Sequence, residues 1–132
     1  MAAPAHKPQR GVALIEALIG LLIFAFGVLG LVGLQASMTR AQTSAKLRGE
    51  ATNLASELVG LMWTDTNNLP KYADCAGYDR CKDWQDKVAA MLPYGGAATA
   101  VSASGEVEIT LTWKMPGTSD VQRYYTSTTV SK

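Results

Sequence analysis

The sequence predicts an α+β chain: a long N-terminal α-helix, apolar in its first half and amphipathic in its second, packed on a small three-stranded antiparallel sheet. Three observations predict it. Residues Gly11 to Leu34 form an apolar run with one carboxylate in it, and no proline interrupts the chain from Gln9 to Leu69. Apolar residues then recur at spacings of three and four from Leu47 to Met62, the signature of one buried helix face. Finally, Glu106 to Lys114 alternates strictly between polar and apolar, as a half-buried strand does.

The first element reads GVALIEALIGLLIFAFGVLGLVGL, with Glu16 as its one charge. From Val12 to Leu34 a helix would be about 35 Å long at about 1.5 Å per residue, enough to cross a hydrocarbon core of about 30 Å. Lys7 and Arg10 precede it and no acidic residue does, so the positive-inside rule predicts a cytoplasmic N-terminus with the rest of the chain across the membrane. A secretory signal peptide fits poorly. The run is too long, and around Gln35-Ala36-Ser37 the residue Leu34 stands where a small one is wanted. No cysteine follows the run to support a lipoprotein. Placing a carboxylate in hydrocarbon costs at least about 2.5–3.5 kcal/mol, so a plain anchor gains nothing from Glu16. Something must read it or pair with it.

Gln9-Arg10-Gly11 followed by Val12-Ala13-Leu14-Ile15-Glu16 resembles the class III leader junction of the type IV prepilin family. The resemblance implies a leader at 1–11, cut after Gly11 by the prepilin peptidase, with methylation of the new N-terminus at Val12. It places Glu16 at the fifth mature position, where the family carries a glutamate; Val12 stands where phenylalanine is usual. It also implies that in the filament Glu16 pairs with the amine of a neighbouring subunit, which would make a buried carboxylate tolerable and set the axial register. The span's ending, Gly27-Val28-Leu29-Gly30-Leu31-Val32-Gly33-Leu34-Gln35, is similar to that of the PilV group of minor pilins, the type IV pilus modification proteins. That similarity covers roughly the first third of the chain. The expected organisation is a leader at 1–11, a transmembrane and filament-core helix at 12–34, and a periplasmic pilin-like α+β domain at 35–132. Gly20, Gly27, Gly30 and Gly33 supply either bending points or close approach between helices.

Beyond Gln35 the stripe Leu47, Ala51, Leu54, Leu58, Leu61 and Met62 predicts contact with the C-terminal domain, the helix running to about Thr64. Arg40, Lys46, Arg48, Glu50 and Glu57 break it with charge, and Glu50 is read as poorly placed for pairing. Turn formers from Asp65 to Pro70 end the helix. Cys75 and Cys81 are the only cysteines, and an inferred periplasmic location favours a structural disulfide. Closing so short a loop would add about 2–2.5 kcal/mol on the chain-entropy estimate. A zinc site would need more ligands, and the single histidine, His6, lies in the leader; a redox pair is more often spaced C-x-x-C. Asp74, Asp79, Asp83 and Asp86 surround the cysteines but match no calcium-loop spacing, so a solvated acidic loop is expected.

Lys82 to Leu92 predicts a short helix with Trp84, Val88 and Met91 inward, ended by Pro93-Tyr94-Gly95-Gly96. Ala97 to Ala103 is a weak strand. Glu106 to Lys114 is the strong one, with Val107, Ile109, Leu111 and Trp113 facing the core. Val121 to Val130 follows the turn Met115 to Asp120, and either Tyr124 or Tyr125 faces inward. Loss of Lys7 and Arg10 with the leader turns the net charge from +1 to −1 before the new amine is counted, which argues against a nucleic-acid surface. No catalytic residues, metal or cofactor are expected.

The resemblance implies a minor pilin that helps start filament assembly and sits in the tip complex, serving pilus biogenesis, adhesion and twitching motility. Its implied partners are other minor pilins, the major pilin, the prepilin peptidase, the inner-membrane assembly platform and a large tip adhesin. The implied location is the inner membrane of a Gram-negative bacterium before assembly and the pilus afterwards. Two alternatives stand beside it: a minor pseudopilin of a type II secretion system, and an unprocessed single-pass protein whose periplasmic domain binds a ligand.

Overall fold

The structure is a computed structural model that describes residues 10–131; the leader up to Gln9 lies outside the described residues. One α-helix, α1, spans Arg10–Trp63, 54 residues. The chain divides into two units, Met1–Ala41 and Gln42–Lys132, so α1 contributes to both.

In the second unit, Thr66–Ala73 is a 3₁₀ segment with Pro70 inside it, and Cys75–Gly77 is a further 3₁₀ turn. Helix α2 spans Asp79–Met91. Three strands follow: β1, Gly96–Val101; β2, Glu106–Lys114; and β3, Val121–Thr129. They form an antiparallel meander in the order β1-β2-β3. This is the predicted α+β arrangement: a long N-terminal helix packed on a small three-stranded sheet.

The core lies between the second half of α1, α2 and the inner face of the sheet. Leu47, Ala51, Leu54, Ala55, Leu58 and Met62 are buried on α1, so the stripe read from the sequence is the contact face, with Ala55 added and Leu61 only half-buried. From β2 come Val107, Ile109, Leu111 and Trp113, each at most 1% exposed. Trp84 of α2 fills the gap between α2 and α1, its indole Nε1–H donating to the Leu54 carbonyl at 2.8 Å. Among the described residues Trp113 Nε1 is buried with no hydrogen-bond partner.

Three local readings are corrected. Glu50 does pair, with Lys46 one turn earlier at 3.7 Å, because the i,i+4 spacing places both side chains on one face. Helix α2 starts at Asp79 rather than Lys82, because the Tyr78 carbonyl accepts from the N–H groups of both Cys81 and Lys82. Met91 is 44% exposed, and Leu92 takes the core position instead. Leu92 lies four residues after Val88 and its N–H still donates to the Val88 carbonyl, so it continues the buried Trp84–Val88 face while Met91 falls at the edge of that face.

Two glycines are required by close approach. At Gly95 a Cβ would collide with the Val88 and Leu92 carbonyls at the end of α2. Gly105, at φ 83°, closes the β1–β2 hairpin against the Val130 carbonyl.

Candidate functional site

The N-terminal site is built on the first half of α1. Gly11, Val12 and Glu16 all lie within the helix. Val12 and Glu16 are four residues apart and share a face, separated along the axis by about 6 Å. From Gly11 to Leu34 the other residues are all apolar or glycine, and every large hydrophobic residue from Val12 to Leu34 is at least 41% exposed, Val28 being the least. An 18-residue apolar window here is long enough to cross a membrane, and none of it is buried. A soluble monomer rarely exposes an apolar patch beyond a few hundred Å². A bilayer or a bundle of like helices is the physical answer to such a surface. A Cβ added at Gly20, Gly27, Gly30 or Gly33 would meet nothing within 4 Å, so packing inside the chain does not explain these glycines.

The second cluster sits where α1 ends. Cys75 and Cys81 form a disulfide with a Cα–Cα distance of 4.7 Å, and both residues are buried. Beside the bridge, Asp65 collects the segment that follows α1. Its carboxylate accepts from Asn68 Nδ2 at 2.7 Å, from Tyr72 Oη at 3.3 Å and from Tyr78 Oη, and it pairs with Arg80 at 3.5 Å. The Tyr72 and Tyr78 rings meet edge to face at 5.1 Å, and Lys71 Nζ lies 5.5 Å from the Tyr78 ring centre. The Tyr72 carbonyl accepts from Thr99 Oγ1 of β1, tying the segment to the sheet.

The electrostatics follow from these bonds. Donation from Tyr78 first, and from Asn68 next, holds Asp65 well below the usual carboxylate range, at about 2. Burial foremost, helped by the Asp65 charge, pushes Tyr72 up to about 12. Asp65 therefore stays an anion that fastens the disulfide loop to the end of α1. The sequence places Asp65 in the helix-ending turn, but the convergence of residues 65, 68, 72, 78 and 80 depends on the 3₁₀ path between them, which no periodicity signals.

The acidic residues around the bridge do not converge. Asp74 caps the 3₁₀ turn by accepting from Ala76 N at 3.2 Å, and Asp79 occupies the first turn of α2. Asp83 and Asp86 lie exposed along that helix. Among the described residues no group of three His, Cys, Asp or Glu side chains is placed to hold a metal. Of the tyrosine pair, Tyr124 packs against the core, while Tyr125 is 54% exposed and donates to Glu108 Oε1 at 3.0 Å.

No curated protein sequence and no solved structure matches the chain significantly. Residues 6–32 match the family described as the Prokaryotic N-terminal methylation motif, a stretch that contains Gly11, Val12 and Glu16. The motif implies processing by a prepilin peptidase, and with the unburied apolar helix it supports a type IV pilin-like protein anchored in the membrane before it assembles with other pilins.

Proposed function

We propose that the chain is a minor pilin of the type IV pilus, similar to the PilV group, that helps initiate filament assembly and resides in the tip complex. The observation that carries the reading is Glu16: one carboxylate on an otherwise apolar, unburied helix, one turn after Val12, inside a matched methylation motif. In this reading the leader at 1–11 is removed after Gly11 and Val12 is methylated. Its amine keeps its positive charge. Helix 12–34 holds the subunit in the inner membrane, and residues 35–132 form the periplasmic domain.

The chemistry of assembly is then an exchange of environments. In the bilayer Glu16 is a charge without adequate solvation. In a bundle of like helices it meets the amine of a neighbour, and a buried carboxylate is tolerable with such a partner. Only one axial stagger brings the two charges together, so the pair also sets register. Gly20, Gly27, Gly30 and Gly33 allow close helix approach in that bundle. The domain itself needs no catalytic group; its disulfide braces the fold against the end of α1. Partners are other minor pilins, the major pilin, the peptidase, the inner-membrane platform and a large tip adhesin.

The test is mass spectrometry of the N-terminal peptide of the native protein from its own host. A peptide beginning with N-methylated Val12 is expected. An intact leader in a host with active prepilin peptidase would overturn the reading in favour of an unprocessed anchored protein. A methylated peptide from a protein that copurifies with secretion components rather than pili would move it to the type II pseudopilins, which share the leader and span.

A further inference from the structure

The two edges of the sheet differ. At β1 the 3₁₀ segment Thr66–Ala73 and α2 lie against the strand: Thr99 Oγ1 donates to the Tyr72 carbonyl, and Gln85 Nε2 donates to the Ala97 carbonyl at 3.3 Å. At the other edge β3, nine residues long, pairs with β2 alone. Among the described residues its backbone makes hydrogen bonds to no other element. Val121 to Thr129 contains no proline and no glycine, and Arg123 is its one charge. The β2–β3 register runs without a bulge. Native sheets usually blunt a free edge with proline, lysines, a bulge or a covering segment, and this edge uses none of them.

A groove runs beside the open edge. Ala55, Ser56 and Val59 of α1 and Tyr124, Thr126 and Thr128 of β3 line an open hollow of about 300 Å³. Ser56 and Val59 share a helical stripe with Trp63, which is 50% exposed. The inner side chains of β3 are only half-buried, whereas those opposite them on β2 are at most 1% exposed. The core is therefore closed under β2 and open under β3. A strand added about 4.8 Å beyond β3 would cover the opening and set alternate side chains on the α1 stripe. No charged side chain lines the hollow. On the other face of β3, Arg123 is exposed, and the three ion pairs among the described residues do not include it.

We propose that the free edge of β3 and the groove beside it accept an extended segment of a different protein as a fourth strand. Main-chain hydrogen bonds to β3 supply the affinity and alternate side chains the selectivity. The segment presents valine- or threonine-sized side chains to Ser56, Val59 and Trp63. Charge complementarity adds a carboxylate on its outer face beside Arg123, at a cross-strand distance of roughly 4.5–5.5 Å. A second copy of the chain fits this edge poorly. Residues 55–59 of α1 lie by 124–128 of β3, and Thr66 lies by Val130, so α1 and β3 run the same way in this unit. Pairing β3 with β3 antiparallel would reverse one α1 against the other, and pairing them parallel would put the two helices on opposite faces of the joined sheet. The filament reading, on which this choice of occupant rests, needs them parallel and adjacent.

The experiment uses the full chain in detergent and follows amide hydrogen exchange over residues 121–129 by mass spectrometry. The probe is a synthetic nine-residue peptide alternating threonine with valine and carrying one glutamate among its threonine positions. It is expected to slow exchange in β3 severalfold and to leave α2 unchanged. The same peptide with lysine for glutamate should need about tenfold more for an equal effect. Arg123→Glu, an exposed change, should invert that preference, and Val59→Arg, which fills the groove, should abolish the protection. No slowing with either peptide, or equal slowing by both, overturns the proposal. Protection that grows with protein concentration in the absence of peptide also overturns it, in favour of a second copy. The N-terminal peptide of the native protein separates the two claims. Methylated Val12 without protection of β3 leaves the filament reading standing and removes this site, whereas protection with an intact leader does the reverse.

Discussion

The two halves of α1 have the same backbone and opposite surfaces. From Val12 to Leu34 every large apolar side chain stays exposed, whereas from Leu47 to Met62 the apolar side chains are buried against α2 and the sheet. Helicity in the second half is supported by tertiary packing of one face. In the first half it answers a different need, because a helix satisfies its own backbone polar groups where no water can. The difference teaches that a stretch of helix is understood by what it is buried in. The second half carries the domain's fold, and the first is free to be matched to an environment outside the chain.

That contrast can be broken most sharply at Glu16. If its partner is a neighbour's amine, Glu16→Ala leaves that amine buried and unpaired, a cost of roughly 3–5 kcal/mol. Incorporation into sheared pili, measured by immunoblot, should fall by roughly a hundredfold or more, since each 1.4 kcal/mol is tenfold. The thermal transition of the full chain in detergent should not move. Leu58→Ala should do the opposite. Leu58 is fully buried, so the truncation should destabilise the domain by about 2–5 kcal/mol. Leu22→Ala, on the exposed half, should leave the melting curve in place.

The disulfide offers a smaller effect confined to the second unit. Cys75→Ser combined with Cys81→Ser should lower stability by about 2–2.5 kcal/mol in chemical denaturation, without altering cleavage after Gly11. The smallest effect concerns acid. Asp65 is held at about 2 in the folded chain, below its ordinary 3.8. Its stabilising contribution is therefore complete above about pH 4 and disappears as pH falls through 2. Asp65→Asn should flatten the pH dependence of stability between those values. An unchanged acid-unfolding profile would show that the carboxylate does not fasten the loop.

What was legible in the sequence follows periodicity. The stripe on α1 and the alternation of β2 report one buried face each, and in both the residues read as inward are inward, apart from half-buried Leu61. Glu16 was legible because one charge in an apolar run has no local explanation. The Asp65 cluster was not. Its members are spread over residues 65 to 80 and meet only because a 3₁₀ segment with a proline inside folds Tyr72 under the chain. Met91 and Leu92 exchanged roles for a different reason. They lie three and four residues after Val88, so spacing alone admits either, and the buried face through Cys81, Trp84 and Val88 takes Leu92.

Among the described residues, every buried core side chain lies from Leu47 onward, inside the second unit. Natural variation can therefore act on the two parts under separate constraints. Substitutions across the outer sheet and its turns are filtered by whether the domain still folds and by what it meets. Substitutions from Gly11 to Leu34 are filtered by the peptidase, the bilayer and the neighbouring helices. If the proposed role of Glu16 holds, a lineage could exchange the whole presented surface while keeping its place in the polymer, and a single changed residue near Glu16 would remove a perfectly folded domain from the population of subunits.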